Sequence, residues 1–384
     1  MSKDAIVQKT KYFLSSHISP FQKRVVRFFL NTAKNPFQLK RHLNMYRYEK
    51  YLHQSTILSY VPPVFGATIT EQCNLRCPTC LYLLENENKF HNSYITPEKF
   101  GDLLERTNPH KKAEVIFFTG GEPLLHPNIG ELISIAKKCG FIPRLSTNGI
   151  LIEKKIDELT EIDYINVSLD SYDYDSFSRY RGGTHHQFDQ IKKGIRELKK
   201  CKKNFSLSFV LSSANVHEVD RMIALAEDLL PPSIYFHNIN PHGCTDYAPL
   251  TLQDPATREF LEKITKKRNY PFDIYISAIF DLKSELFKKA RCIQPWYYFC
   301  FNPDGDVAYC CHLSHEPNIG NIFEGNFFNS PTLIEFRKGI MNGKIPASCL
   351  YCQRRFMESE FGKFNASLGT WFINKEYPDY INHE

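Results

Sequence analysis

Gln72-Cys73-Asn74-Leu75-Arg76-Cys77-Pro78-Thr79-Cys80 sets three cysteines at CxxxCxxC spacing directly after the apolar, strand-like run Val64-Phe65-Gly66-Ala67-Thr68-Ile69-Thr70. Three thiolates can hold three irons of a four-iron cluster, whereas a closed cluster uses four cysteines, so one iron stays open to a ligand. A zinc knuckle or a chance spacing are the bland alternatives. Zinc sites usually pair two CxxC-type hooks, and no second hook follows within the next hundred residues.

Outward from that loop, strand-like and helical runs alternate. Strands are expected at residues 64–70, 115–119, 142–147, 164–170, 205–212 and 233–240, with helices around 129–139, 154–159, 188–200, 216–229 and 256–267. Thr96-Pro97-Glu98-Lys99 adds a helix start, with Thr as cap and Pro at the first helical position. Such alternation implies parallel strands with right-handed crossovers. Six units make a partial (β/α)6 TIM-like barrel, an α/β fold open on one side. Its functional groups are expected at the carboxyl ends of the strands.

CNLRCPTC resembles the cluster loop of the radical S-adenosylmethionine (radical SAM) superfamily. Phe118-Thr119-Gly120-Gly121-Glu122-Pro123-Leu124, Ser146-Thr147-Asn148-Gly149 and Val167-Ser168-Leu169-Asp170 resemble that family's later motifs in the expected order, over about residues 65 to 355. The resemblance implies a 4Fe-4S cluster on Cys73, Cys77 and Cys80 whose open iron chelates S-adenosylmethionine (SAM). Reductive cleavage then gives a 5′-deoxyadenosyl radical that takes hydrogen from an unactivated carbon. It also implies that Gly120, Gly121 and Glu122 meet SAM's amino group. Ser146, Thr147, Asn148, Ser168 and Asp170 would serve its ribose and carboxylate, with Asp170 alternatively a helix cap. Arg181 would pair the carboxylate. Thr79 stands where the family commonly has an aromatic or bulky apolar residue, and Tyr82 is the substitute for the adenine contact. No catalytic acid or base stands out.

Downstream, Cys292, Gly305, Cys310 and Cys349-Leu350-Tyr351-Cys352 form CxnGx4C followed by CxxC. This resembles the first auxiliary-cluster motif of SPASM and shorter twitch domains and implies a second, fully ligated 4Fe-4S cluster that relays or accepts electrons. Four cysteines suit zinc as well. Asn302-Pro303-Asp304-Gly305-Asp306 reads as a hairpin turn that brings Cys292 and Cys310 together. Whether Cys300 or Cys311 takes part stays open. Cys139 and Cys201 are expected as inert packing at helix ends, and Cys244 near the barrel opening.

The expected organisation is a basic helical extension at 1–62, the barrel at 63–285, the auxiliary-cluster domain at 286–356 and a tail at 357–384. Residues 1–50 hold eleven Lys or Arg against Asp4 and Glu49, a net +9 that leaves the rest of this +6 chain at −3. A nucleic-acid groove along the barrel is therefore not expected. Phe21, Val25, Phe28 and Phe29, then Leu39, Leu43 and Tyr46, recur at helical spacing among basic residues. Such helices lie on an anionic membrane surface or pack on the barrel. No signal peptide or spanning segment is read, so a cytoplasmic enzyme is expected, peripheral to the inner face of the membrane through residues 1–50. The main expectation is a lipid-linked or membrane-associated substrate. A small molecule, or a peptide or protein as for ribosomal-peptide and sulfatase maturases, is the alternative. A flavodoxin- or ferredoxin-like reductant would supply electrons, and a non-catalytic iron–sulfur electron carrier is the rival from another class.

Overall fold

The computed structural model describes residues 55–80, 94–240, 246–266, 269–277, 279–283, 288, 292–310, 319–325, 327–352 and 370–372. The expectations placed on residues 1–54, Tyr82, Cys244 and Cys311 lie outside the described residues. The chain divides after Thr56 into two units, and the sheet with its helices belongs to the second, Ile57–Glu384.

Seven parallel strands run in sequence order across one sheet: β1 (Val64–Thr70), β2 (Val115–Gly120), β3 (Ile142–Thr147), β4 (Tyr164–Ser168), β5 (Phe205–Leu211), β6 (Ser233–Asn238) and β7 (Asp273–Ser277). Between them lie helices α1 (Pro97–Thr107), α2 (Ile129–Lys138), α3 (Ile152–Lys155), α4 (Tyr174–Arg181), α5 (His185–Lys200), α6 (Val219–Leu229) and α7 (Pro255–Lys266). The partial barrel expected from the sequence is thus present, with β7 as one strand more than the six read there. The expected helix at 154–159 is α3 running into a tighter turn, Ile156–Leu159.

Local signals explain the element starts. Thr96 accepts from Lys99 N with Pro97 in the first turn of α1. Asp173 with Ser176 caps α4, and Thr184 with Gln187 caps α5, each as a reciprocal capping box. Strand β4 ends two residues before the expected Asp170 because that residue takes a left-handed conformation, φ 54°.

The two faces of the sheet differ. Toward the helices, Phe65, Ile116, Phe118, Ile165, Leu207 and Phe236 are all fully buried. On the opposite face, Thr119, Ser146, Asn166, Ser168, His237 and Tyr275 keep partial exposure. An all-parallel sheet covered on both faces would be apolar on both. Here the inner face is polar and partly exposed at those positions, with Ser206 and Ser208 buried among them, so it bounds a polar chamber and not a second apolar layer.

The sheet extends past the barrel at both ends. Strand β8 (Tyr298–Phe301), after the short α8 (Gln294–Tyr297), pairs parallel with β1, and β9 (Val307–Ala308) folds back antiparallel on β8. Across the chamber face, Gly66 makes room for the Tyr298 ring, whose hydroxyl lies 2.5 Å from where a Cβ would stand. Helix α9 (Pro331–Met341) follows, and β10 (Thr370–Phe372) pairs antiparallel with β7.

Candidate active site

The cysteine loop leaves β1 at its carboxyl end and is tied down through its backbone. Gln72 O accepts from Glu122 N at 2.6 Å, and Cys80 N donates to Cys77 O at 3.1 Å. Leu75 is buried in the core. The Arg76 guanidinium donates to Cys73 O and Leu75 O, both at 2.9 Å. Burial pushes the Cys77 thiol up to about 11 despite the nearby Arg181 cation. It also raises Cys73, helped by the Glu122 carboxylate. The Cys80 N–Cys77 O bond and the Arg76 bond to Cys73 O tie all three cysteines into one short loop.

Among the described residues, no three of His, Cys, Asp or Glu converge as ligands of a single metal ion. Thiolates that each hold a different iron of a cluster need not converge on one point. The donor set is therefore of the right kind for a cluster: three thiols on one short loop beside a buried cation.

The two glycines of the Gly-Gly-Glu segment serve a backbone seam. Gly121 N donates to Thr70 O at 2.9 Å. A Cβ at Gly120 would run into the Thr70 carbonyl, and one at Gly121 into that of Gln72. Glu122 is buried at 1% exposure, and its carboxylate already accepts from Leu124 N at 3.0 Å, Thr147 Oγ1 at 2.6 Å and Asn148 N at 2.7 Å. Burial raises its pKa against those three bonds. A carboxylate has about four acceptor positions, which leaves room for one more donor.

Thr147 Oγ1 also accepts from Gly149 N, and Asn148 Nδ2 reaches the loop at Asn74 Oδ1. Ser146 and Ser168, by contrast, sit half-buried on the chamber face. Asp170 is not a helix cap, a part Asp173 plays. Its Oδ1 accepts from Val210 N at 2.6 Å and its Oδ2 from Arg181 Nη1 at 2.7 Å. The Arg181 side chain is largely buried beside Cys77, and its Nε has no hydrogen-bond partner. Burial alone would lower its pKa, but Cys77 and Asp170 hold it above the ordinary value.

Residues that motif reading missed complete the frame. Gln187 Nε2 donates to Asn74 O at 3.3 Å. Inside the chamber, Tyr164 donates to Ser206 at 2.6 Å, Asn166 to Ser208 at 3.1 Å, and Arg144 stands over the rings of Phe117 and Tyr164. Their signal is polar residues at every second position of the strands, which an apolar-run search passes over.

Farther along, Cys292, Cys310, Cys349 and Cys352 are all buried. Cys310 and Cys349 pack together behind Tyr309, Phe336 and Ile345. Cys352 N turns back on Cys349 O at 3.1 Å, and Gln294 N donates to Cys292 Sγ at 3.4 Å. The expected hairpin is present, with Gly305 at φ 90° between β8 and β9. Cys300 lies within β8 opposite Ala308. Cys139 is partly buried at the end of α2, whereas Cys201 is exposed and not packed as expected.

Comparison with known proteins agrees with this geometry. Residues 67–226 match the family model described as the radical SAM superfamily, and residues 292–353 match the SPASM iron–sulfur cluster-binding domain. GTP 3′,8-cyclase of Chlorobaculum tepidum is 36% identical over 134 residues, covering 34% of this chain. The chain spans only 39% of that relative's length. The subtilosin biosynthesis protein AlbA of Bacillus subtilis is 25% identical over 342 residues, 82% of this chain and 72% of AlbA. Crystal structures of Streptococcus suis SuiB share the fold. One, bound to S-adenosylmethionine, has TM-score 0.61 at 16% identity, covering 88% of this chain and 82% of SuiB. Another, bound to the precursor peptide SuiA, has TM-score 0.59 at 16% identity, covering 79% and 72%.

Proposed function

The chain belongs to the radical SAM superfamily and carries a C-terminal SPASM domain, and from that premise we propose that it abstracts hydrogen from a peptide substrate. The observation that carries this reading is the gathering of Cys73, Cys77, Cys80 and the buried Arg181 at the carboxyl ends of the strands, over a polar chamber. Likeness to AlbA, a bacteriocin biosynthesis protein, across most of both chains favours a peptide over the lipid-linked substrate that the basic leader suggested.

In this reading a 4Fe-4S cluster on the three cysteines and a bound SAM together supply one electron and a carbon-centred oxidant. The protein's part is position and exclusion of water. Arg181, pinned by Asp170 on one nitrogen, would hold SAM's carboxylate through its unused Nε. The remaining acceptor position on Glu122 suits an ammonium group. Ser146 and Ser168 offer hydroxyls to the ribose. Cys292, Cys310, Cys349 and Cys352 would hold the auxiliary cluster, with a flavodoxin- or ferredoxin-like protein as reductant. We assign the barrel to residues 63–285 and the auxiliary domain to 286–356.

Among the described residues no helix is long and apolar enough to cross a membrane. The test is anaerobic reconstitution with dithionite and SAM, alone and with short peptides encoded beside the gene. The expected result is 5′-deoxyadenosine whose formation rises with one peptide, together with a mass change on that peptide. Protein with a verified cluster and no 5′-deoxyadenosine would point to the electron carrier instead.

A further inference from the structure

The outer surface beside the cysteine loop is carried by α4 and α5. Arg76 and Pro78 are exposed and flank Cys77 in the chain. Gly182, at the end of α4, has the Arg76 carbonyl 2.5 Å from where a Cβ would stand, and Gln187 in the first turn of α5 donates to Asn74 O at 3.3 Å. Helix α5 packs behind β4, on the side away from the chamber, since a Cβ at Gly149 would meet both Val167 of β4 and Ile191 of α5.

That surface is cationic. Residues 174–203 hold nine Lys or Arg against Asp175, Asp189 and Glu197, a net +6. With +9 in residues 1–50 of a +6 chain, the remainder carries −9. Phe188, Ile191, Ile195 and Leu198 bury one face of α5, and Lys193, Arg196, Lys199 and Lys200 stand exposed on the other, followed by Lys202. Ion pairs offset part of this charge: Lys192 with Asp189 at 2.8 Å, Arg196 with Asp228 at 3.8 Å and Lys200 with Glu197 at 3.0 Å. Surface pairs are worth little, so an incoming carboxylate can compete for them.

We propose that the α4–α5 face is where a small acidic one-electron carrier protein docks, with its redox centre over Arg76 and Pro78. One electron leaves the carrier, which is oxidised, and reduces the four-iron cluster held by Cys73, Cys77 and Cys80; no bond forms or breaks. Redox encounters bury little area and rely on charge for steering. Helix α5 is about 24 Å long, less than the width of a small domain, so one carrier covers the helix and the loop together. A peptide substrate would have to reach the chamber, on the other side of the sheet. An anionic membrane would ask for apolar anchors, and of the large apolar side chains in 174–203 Tyr174 alone is exposed. The inference rests on the reading of the three cysteines as cluster ligands.

The test compares two ways of delivering the electron to the reconstituted full chain. Photoreduced flavodoxin or a reduced two-cluster ferredoxin must dock, whereas dithionite need not. Lys193→Glu combined with Arg196→Glu is expected to slow carrier-driven 5′-deoxyadenosine formation about tenfold or more, through a higher KM for the carrier, and to leave the dithionite rate unchanged. Lys338→Glu, a comparably exposed change on α9, should alter neither. The carrier-driven rate of the wild type should fall between about 50 mM and about 300 mM salt, as steering is screened. Carrier rates unmoved by the double change, dithionite rates that fall along with them, or no turnover with either carrier where dithionite succeeds, overturn the proposal.

A second readout needs neither turnover nor a variant. Carbodiimide cross-linking of the reconstituted wild type to flavodoxin, mapped by mass spectrometry, should join carrier carboxylates to Lys193, Lys199, Lys200 or Lys202. Cross-links confined to residues 1–50 or to α9 overturn the docking. So does binding to phosphatidylglycerol vesicles that the double change abolishes while the carrier-driven rate stays intact, which would make the face a lipid contact. Absence of 5′-deoxyadenosine from the wild type even with dithionite would remove the cluster reading itself, and the docking with it.

Discussion

Asn148 Nδ2 donates to Asn74 Oδ1 across 2.7 Å, so the end of β3 grips the cysteine loop side chain to side chain. The grip is braced on both sides, by Glu122 Oε2 accepting from Asn148 N and by Gln187 Nε2 donating to Asn74 O. Asn148→Ala leaves Asn74 without its partner and should cost about 1–3 kcal/mol. Urea unfolding of the iron-free protein and iron retained after gel filtration would both register the change. Unaltered values in both would mean that the loop is held by its backbone seam alone.

Gly182 ends α4 at φ 64°, with the Arg76 carbonyl 2.5 Å from where a Cβ would stand. Gly182→Ala combines the left-handed backbone cost of about 1–2 kcal/mol with a collision against the loop between Cys73 and Cys77. Gly343, at φ 76° with nothing within 4 Å of its Cβ position, is the control. Gly343→Ala should lose only the backbone share and keep its iron at Cys73, Cys77 and Cys80. Equal iron loss in both variants would contradict the collision.

Cys349→Ala removes one of two thiols that pack against each other behind Tyr309. Iron content should fall from about eight to about four per chain, as one of two four-iron clusters is lost. Retention of SAM-cleaving competence in dithionite would show that the first site stands independently.

Much of this was legible because the local signals are strong. Thr96-Pro97 starts α1 where its cap chemistry says, and β1 and β3 take the expected residues. Other parts depend on partners distant in sequence. Strand β7 is five residues long and becomes a strand by pairing with β6 and β10. Asp170 stops β4 early because Val210 and Arg181, 40 and 11 residues away, take up its carboxylate. Motif reading singles out Glu122 for a ligand, yet most of its carboxylate is spent on Leu124, Thr147 and Asn148. Only the assembled strand ends reveal that double duty.

The Cys77 thiol gives the site a pH signature in the iron-free protein. Burial, opposed by the Arg181 cation, lifts its pKa from the ordinary 9.0 to about 11. A thiol held protonated by the fold lends stability that is whole below pH 9 and is lost as pH climbs through 11. For a residue that keeps some exposed surface, the loss should be about 2 kcal/mol, somewhat under two full pKa units. Urea midpoints under reducing conditions at pH 8 and pH 11, wild type against Cys77→Ala, isolate it, because tyrosines titrating in the same range affect both proteins alike. Arg181→Met should enlarge the wild-type loss, since removing that cation pushes the thiol higher still. Identical alkaline losses in wild type and Cys77→Ala would mean that the loop leaves this sulfur in water.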